Sequence, residues 1–431
     1  EVNTSFELKM TEKEWNALSV AFKYAKEKFK VEKFEPMAFE DVIPHLHKDT
    51  SAGFSFPSKS KGQVLEQALA LANDNALKVR MGQPIHVPPC KLASRGKLRS
   101  FDEAKKPRLI YSYPVEQLII EASYAIPMSE QMKYKTDGIM LFGKNIIPRL
   151  YQTVTKRYSR SNTTLRSDIS GFDSSVHQMM IMLAFLIVEQ NIDFERWDGK
   201  LLSQSKMKRW SRVWEYVKYY FIHTPVMLPS GKIVQKHGKV PSGGQFTQII
   251  GSIVNTMYLI MMSALHEHHV VDLRVLIDDG FMTIFGKPDL SLWSESLLRI
   301  FGVKLSVDKT KVFEGDDPNK TFLGYQFDHG LLKRETKDLF LNILYPEREI
   351  DTVEKSFSRL IAYMYLGGAN DIRFVKFFVH YQTGYYIDAD SLLQLDYDLK
   401  VKVEVLGYPI PKKKIREYRM REFVFHLMAE H

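Results

Sequence analysis

Apolar residues recur at helical spacing over residues 11–32 and 63–79, with Lys and Glu on the outer face, which predicts two amphipathic helices. Residues 80–115 lose that period. They are rich in Pro and basic residues and hold short strand-like pieces such as Arg108-Leu-Ile-Tyr111. Mixed, mostly helical patterning returns over 115–160. Thr163 to Ser167 reads as a strand running into an acidic turn, followed by an apolar helix over 177–190 and an aromatic-rich helix over 203–222. Residues 224–236 read as a hairpin turning at Pro229-Ser230-Gly231. A Gly-rich turn at 241–244 precedes a long apolar helix, 246–265. Leu273 to Ile277 and Phe281 to Phe285 are apolar runs flanking Asp278-Asp279-Gly280, a strand–turn–strand signal. Past residue 335 helical segments alternate until a basic end. The pattern is α+β, with acidic residues falling at strand ends.

Two of the apolar runs raise the question of a membrane. Met179 to Val188 is too short to span one, and Ile249 to Leu265 is interrupted by Gly251, Ser252, Asn255, Thr256 and Ser263. Both read as buried helices, so no membrane span is expected. Glu1 to Met10 has no apolar core of a signal peptide, and a start without Met reads as a fragment or a processed product. At 431 residues, 45% hydrophobic and 26% charged, the chain has apolar content for a sizeable core and is neither disordered nor collagen-like. Cys90 is the lone cysteine, which excludes a disulfide scaffold and a cysteine zinc site. A net charge of +9 permits a polyanionic partner without establishing one.

The candidate chemistry lies in carboxylates. Asp168 ends the predicted strand, Asp173 follows five residues later, and Asp278 sits at the proposed hairpin tip beside Asp279. Strand-end aspartates from separate segments make a hard-oxygen site suited to Mg²⁺. Two ions held there would activate an attacking hydroxyl and stabilise a leaving phosphate. Taken alone, an aspartate pair in a turn is as often structural. The segment Val240-Pro-Ser242-Gly243-Gly244-Gln-Phe-Thr247, taken alone, reads as a serine-capped helix start. Between Lys91 and Arg108 seven basic residues face two acids, which is either a solvated loop or an anion clamp. His266-Glu-His-His269 lacks zinc-site spacing and reads as a solvated helix end, and no phosphate-binding Gly-Lys loop occurs.

In order along the chain, Asp168-x4-Asp173, Pro241-Ser242-Gly243-x3-Thr247 and Asp278-Asp279 resemble the A, B and C motifs of viral RNA-dependent RNA polymerases. Thr50-Ser51-Ala52-Gly53-Phe54 resembles the segment that admits template in picornavirus-like members. Lys97-Leu-Arg99 with Lys105-Lys106-Pro-Arg108 resembles the basic motif that holds the incoming triphosphate. Val307-Asp308-Lys309-Thr310 resembles motif D, and Phe322-Leu323-Gly324-Tyr325 motif E. The form of motif B, Gly244-Gln-Phe-Thr-Gln with Asn255 after it, is similar to the partitivirus and picobirnavirus group of double-stranded RNA viruses.

The resemblance implies a right-hand polymerase fold whose antiparallel palm sheet packs on helices. Fingers would occupy 1–160 and 177–235, palm 161–176 and 236–333, and thumb 334–431. It implies RNA-templated RNA synthesis from ribonucleoside triphosphates, with Mg²⁺ as cofactor and Mn²⁺ able to substitute. Asp168, Asp278 and Asp279 would ligate the metal; Lys105, Lys106 and Arg108 would grip the triphosphate. Asp173, Ser242, Thr247 and Asn255 would meet the ribose, whose 2′-hydroxyl separates RNA from DNA precursors. Lys309 would protonate departing pyrophosphate. Ser51, Gly53, Arg99 and Gly243 would touch RNA, as would the basic cluster from Lys412 to Arg421. Template and nascent RNA, and a viral capsid protein, would be partners, in a virion interior or a host-cytoplasm replication complex.

Two residues depart from the family pattern. Ile277 stands where Gly usually precedes the aspartate pair, and Gly251 stands where the picornavirus pattern has Asn. A literal Gly315-Asp316-Asp317 lies downstream without flanking apolar strands and is rejected as the catalytic turn. The rivals are a reverse transcriptase, which shares the palm carboxylates, and a catalytically silent RNA-binding scaffold, which Ile277 keeps open.

Overall fold

The computed structural model describes residues 8–95, 108–135, 137–142, 146–328, 331–346, 350 and 352–384. Lys97, Arg99, Lys105, Lys106 and the cluster from Lys412 to Arg421 lie outside the described residues. Two compact units divide the described residues: those within 8–95, 108–140 and 167–311 form the first, and those within 141–166 and 312–384 the second.

The first unit is built around the helix Thr247–Leu265. Its sequence is apolar on every side, the pattern of a helix surrounded by protein, and nearly all of it is buried. It is the one helix among the described residues long and apolar enough to cross a membrane by length and composition, and 89% of that stretch is buried inside the protein. The helix Glu12–Lys28 packs along it. Thr11 and Glu14 close a capping box at the start of Glu12–Lys28, and Ala17, Leu18, Ala21 and Ala25 recur at helical spacing to form its buried face. The predicted apolar helix appears as Gln178–Glu189 and also meets the central helix.

Against the same helix lies the hairpin of Val270–Leu276 and Asp279–Phe285, antiparallel and bulged between Thr283 and Ile284. Helix Leu290–Phe301 follows, capped by Asp289 and ended by left-handed Gly302. The chain then returns through Lys304–Leu305, which pairs antiparallel with Ile169–Ser170 beside Asp168. A separate four-stranded sheet has the order Arg108–Ser112, Cys90–Arg95, Pro225–Met227, Ile233–Gln235. Its last two strands are the predicted hairpin, with Gly231 in the left-handed region at the turn.

In the second unit residues 162–166 lie beside residues 312–314, and Gln326–Asp328 pairs with Leu331–Lys333. The helices Thr336–Leu344, Val353–Tyr365 and Ile372–Gly384 meet through aromatic rings, among them Phe340, Phe374 and Phe377.

Candidate functional site

Asp168 stands immediately after the strand Asn162–Ser167, half-buried, and its backbone is fixed on both sides. Its N–H donates to Thr310 Oγ1 at 3.3 Å and its carbonyl accepts from Ser306 N–H at 2.8 Å. The turn that supplies those groups carries Lys309, whose side chain is exposed. The residue before Asp168 reaches the hairpin: Ser167 Oγ donates to the Gly280 carbonyl at 3.4 Å. A Cβ on Gly280 would sit 2.4 Å from Ser167 Oγ and 2.6 Å from Leu259 Cδ1, so only glycine lets Ser167, the hairpin and the central helix approach so closely. Asp168 and the Asp278-Asp279 pair are thereby brought to one end of the same core.

The hairpin loop is two residues, Ile277 and Asp278, and Asp279 opens the second strand opposite Leu276. Ile277 has φ +56° and Asp278 does not share that region, the φ pattern of a type II′ turn, whose first position favours Gly. A β-branched residue there is strained, and two contacts hold it. Its N–H donates to Ser252 Oγ at 2.9 Å. Its Cγ2 lies 3.0 Å from where a Cβ on Gly251 would be. In this chain the two residues are packed against one another, bulk in the turn against a glycine in the helix. Gly251→Ala should destabilise the protein, and the penalty should largely vanish when Ile277 is also Gly. A double-mutant cycle by chemical denaturation should give a coupling of about 1 kcal/mol or more; additive effects would contradict that packing.

The segment before the central helix is stitched to its neighbours. Val240 N–H donates to the Asp173 carbonyl at 2.8 Å and Lys239 N–H to the Val176 carbonyl at 2.8 Å. Ser242 is exposed and is not the helix cap: its Oγ accepts from Tyr111 N–H and donates to the Leu109 carbonyl, both at 3.3 Å, and the helix starts five residues later. A Cβ on Gly243 would lie 1.8 Å from the Tyr111 carbonyl oxygen. Gly53, at φ +86°, presses on the same stretch, with the Tyr113 carbonyl 2.5 Å from its Cβ position, and exposed Ser51 accepts from Gly53 N–H at 3.2 Å. Arg108 opens the strand concerned. The template-like segment, the basic strand and the Pro-Ser-Gly loop thus converge.

Asp173 is exposed on the one-turn helix Phe172–Ser175. Two residues expected at the ribose are placed otherwise. Thr247 spends its hydroxyl inside the loop, donating to the Pro241 carbonyl at 2.5 Å and the Gly244 carbonyl at 2.8 Å. Asn255 is wholly buried behind Gly280, with neither amide atom hydrogen-bonded, so it has no surface to offer a sugar in this arrangement.

Sequence reasoning missed two buried charges beside the loop, Glu121 and Lys236. Glu121 stands among Leu118, Ile119, Ile120 and Ala122, and an acid in such a run was a readable signal. Burial pushes its carboxyl up to about 7, opposed by N–H donors of Phe246 and Gln245 and by the Lys236 charge. Burial brings Lys236 down to about 7, with Cys90 and Glu121 opposing. A carboxyl raised in the folded state contributes stability below its ordinary range and loses that contribution as pH rises to about 7. The lowered lysine contributes above its ordinary range and loses it as pH falls toward about 7. The wild-type unfolding midpoint should therefore fall relative to Glu121→Gln between about pH 4.5 and 7. Parallel midpoints across that window would contradict the burial argument.

The downstream Gly315-Asp316-Asp317 belongs to the second unit and follows the strand Lys311–Glu314 as a turn with no returning strand immediately after it. Asp316 pairs with Arg157 at 3.5 Å, and Asp317 accepts from Asn319 N–H at 2.8 Å. His266 ends the central helix and shares a hydrogen bond with Ser296, while Glu267 pairs with Lys13. Among the described residues no three His, Cys, Asp or Glu side chains already converge at ligating distance. The donors at the hairpin and at Asp168 are nonetheless all hard carboxylate oxygens, the chemistry Mg²⁺ selects.

The sequence profile of viral RNA-dependent RNA polymerases matches residues 10–382. This chain belongs to that family. The RNA-directed RNA polymerase of Cryptosporidium parvum virus 1 is 28% identical over 354 residues, 75% of this chain and 63% of the relative. That of White clover cryptic virus 1 is 25% identical over 182 residues, 40% of this chain and 29% of the relative. The chain therefore spans less than two thirds of the length of these curated relatives. The crystal structure of the RNA-dependent RNA polymerase of a human picobirnavirus superimposes with a TM-score of 0.68 at 14% identity, covering 100% of this chain and 81% of that one. An insertion-loop deletion mutant of that polymerase gives 0.60 at 14% identity, covering 97% and 82%. At such identity the likeness shows the fold, and it bears out the α+β, right-hand polymerase fold with antiparallel strands on helices. The relatives also agree with the partitivirus and picobirnavirus grouping read from motif B.

Proposed function

We propose that this viral polymerase chain carries out RNA-templated joining of ribonucleoside triphosphates to an RNA 3′ end. One observation carries the reading: Ser167, beside Asp168, is bonded to Gly280, beside Asp279, so carboxylates from separate segments meet at one end of the core. Asp168, Asp278 and Asp279 would hold two Mg²⁺ ions, or Mn²⁺ in their place. Bound there, the ions would neutralise phosphate charge and lower the pKa of the attacking 3′-hydroxyl.

The chain's own groups do the rest. Asp173 and Ser242, both exposed, would test the ribose, while Thr247 holds the loop that presents Ser242. Lys105, Lys106 and Arg108 would bind the triphosphate, and exposed Lys309 would give a proton to the departing pyrophosphate. Ser51, Gly53, Arg99 and Gly243 would line the RNA path. In this reading fingers are 1–160 and 177–235, palm 161–176 and 236–333, and thumb the remainder. A viral capsid protein is a further proposed partner.

The test is incorporation of labelled ribonucleotides on a single-stranded RNA template with Mg²⁺ and then Mn²⁺. Template-dependent RNA product is expected. A preference for deoxyribonucleotides would favour the reverse transcriptase, and RNA binding without incorporation under either ion would favour a silent scaffold.

A further inference from the structure

Two buried charges hold the two ends of the loop that precedes the central helix. At its start, Lys236 is 3% exposed, and its Nζ donates to the carbonyls of Phe221 at 2.6 Å, Gly238 at 2.7 Å and Lys239 at 2.8 Å. Three carbonyls match the three donors of an ammonium group. Gly238 and Lys239 both have positive φ, +69° and +60°, so successive left-handed residues turn their carbonyls toward that one nitrogen. Lys239 is strained there, and the Lys236 bond stabilises the conformation that strains it.

At the loop's end the signs are reversed. Glu121 is 1% exposed, and its Oε1 accepts from Phe246 N–H at 2.9 Å, with Gln245 N–H donating to the same carboxyl. These amides lie where the helix Thr247–Leu265 begins without a side-chain cap. The carboxylate does the work of the missing cap from another helix, Val115–Tyr134. Between the two anchors lie Pro241, Ser242, Gly243 and Gly244.

We propose that Lys236 and Glu121 are positioning residues that clamp the 236–247 loop, an amine donor gathering carbonyls at one end and a carboxyl acceptor gathering amides at the other, so that Ser242 meets the incoming ribose in one arrangement. This rests on the polymerase reading, which assigns Ser242 its substrate. Neither side chain touches nucleotide: both are buried and act through the backbone they hold.

The experiment compares Glu121→Ala, Glu121→Gln and Lys236→Met in the full chain by two readouts. One is amide hydrogen exchange across 241–247; the other is single-nucleotide incorporation of matched ribo- and deoxyribonucleotides. Glu121→Ala should speed exchange in 241–247 by at least about tenfold and lower ribose discrimination by a similar factor, mainly through the KM for the ribonucleotide. Glu121→Gln keeps an oxygen acceptor and should return most of both losses. Lys236→Met keeps the bulk, removes the donors and should free the same loop if the alanine variant does not fold.

Unchanged exchange in the loop would overturn the clamp. So would faster exchange spread equally through Val115–Tyr134 and Thr247–Leu265, or a parallel fall in both incorporations, since either means general loosening. Absence of incorporation by the unaltered protein would overturn the polymerase reading instead, and the exchange result would still decide the clamp.

Discussion

Asp168→Asn should reduce ribonucleotide incorporation by on the order of a hundred- to a thousandfold while leaving the unfolding midpoint nearly unchanged. Folding and chemistry separate at this residue because its backbone, not its carboxylate, ties it to the core. The Thr310 hydroxyl and the Ser306 amide hold its N–H and carbonyl, and the isosteric amide leaves both in place. What changes is charge at the position where, in the proposed reaction, phosphate charge is neutralised, equivalent to about 3–4 kcal/mol of barrier at that rate loss. Primer-extension rates beside thermal unfolding check it. A variant that loses stability in step with activity would mean that Asp168 is structural.

Gly243→Ala carries the second large effect, and it acts through the backbone. The added methyl would fall 1.8 Å from the Tyr111 carbonyl oxygen, which sits in a strand paired with Cys90–Arg95 and cannot yield alone. The loop must lift, breaking the Ser242 bonds to Leu109 and Tyr111. Overpacking of this kind costs about 1–3 kcal/mol. Displacing Ser242 by about an ångström should cost incorporation about a hundredfold. Gly244→Ala is the comparison: its methyl would meet side-chain atoms, Glu121 Oε1 at 3.0 Å, Phe221 Cε2 at 3.3 Å and Thr247 Oγ1 at 3.4 Å, rather than a backbone carbonyl, and should cost less even though it presses on the Glu121 anchor. Unfolding midpoints and kcat/KM for both variants decide it; equal effects would contradict the argument.

The hairpin was legible because two apolar runs bracket an acidic pair, and burial on one side of a two-residue turn fixes its register. The long helix was legible from its length and composition. Its inward geography was not, since a helix apolar on all sides carries no period to say which face meets which neighbour. Asn255 is linked to the sugar by the family resemblance alone, and it lies wholly inside. The serine cap failed for a different reason. Ser242 followed by a helical run is a cap signal, but Gly243 docks on the Tyr111 carbonyl, the chain runs on through turns, and the helix waits until Thr247. Glu121 is marked in the sequence by its apolar run, whereas nothing there marks Lys236, whose partners are backbone carbonyls that only the folded turn gathers.

Ile277 shows sequence and structure completing one another. As a departure from Gly it raised the idea of a silent protein. Set over Gly251 and bonded through Ser252, Ile277 holds a positive φ at the first position of the two-residue turn, where glycine is favoured.

In the proposed reaction Ile277-Asp278-Asp279, and not Gly315-Asp316-Asp317, is the catalytic turn. One gel tests it most directly: labelled RNA product from a single-stranded RNA template, made by the unaltered chain, by Asp278→Ala and by Asp316→Ala. The account predicts template-length product from the unaltered chain and from Asp316→Ala, and none from Asp278→Ala. Product that survives Asp278→Ala and disappears with Asp316→Ala would contradict it.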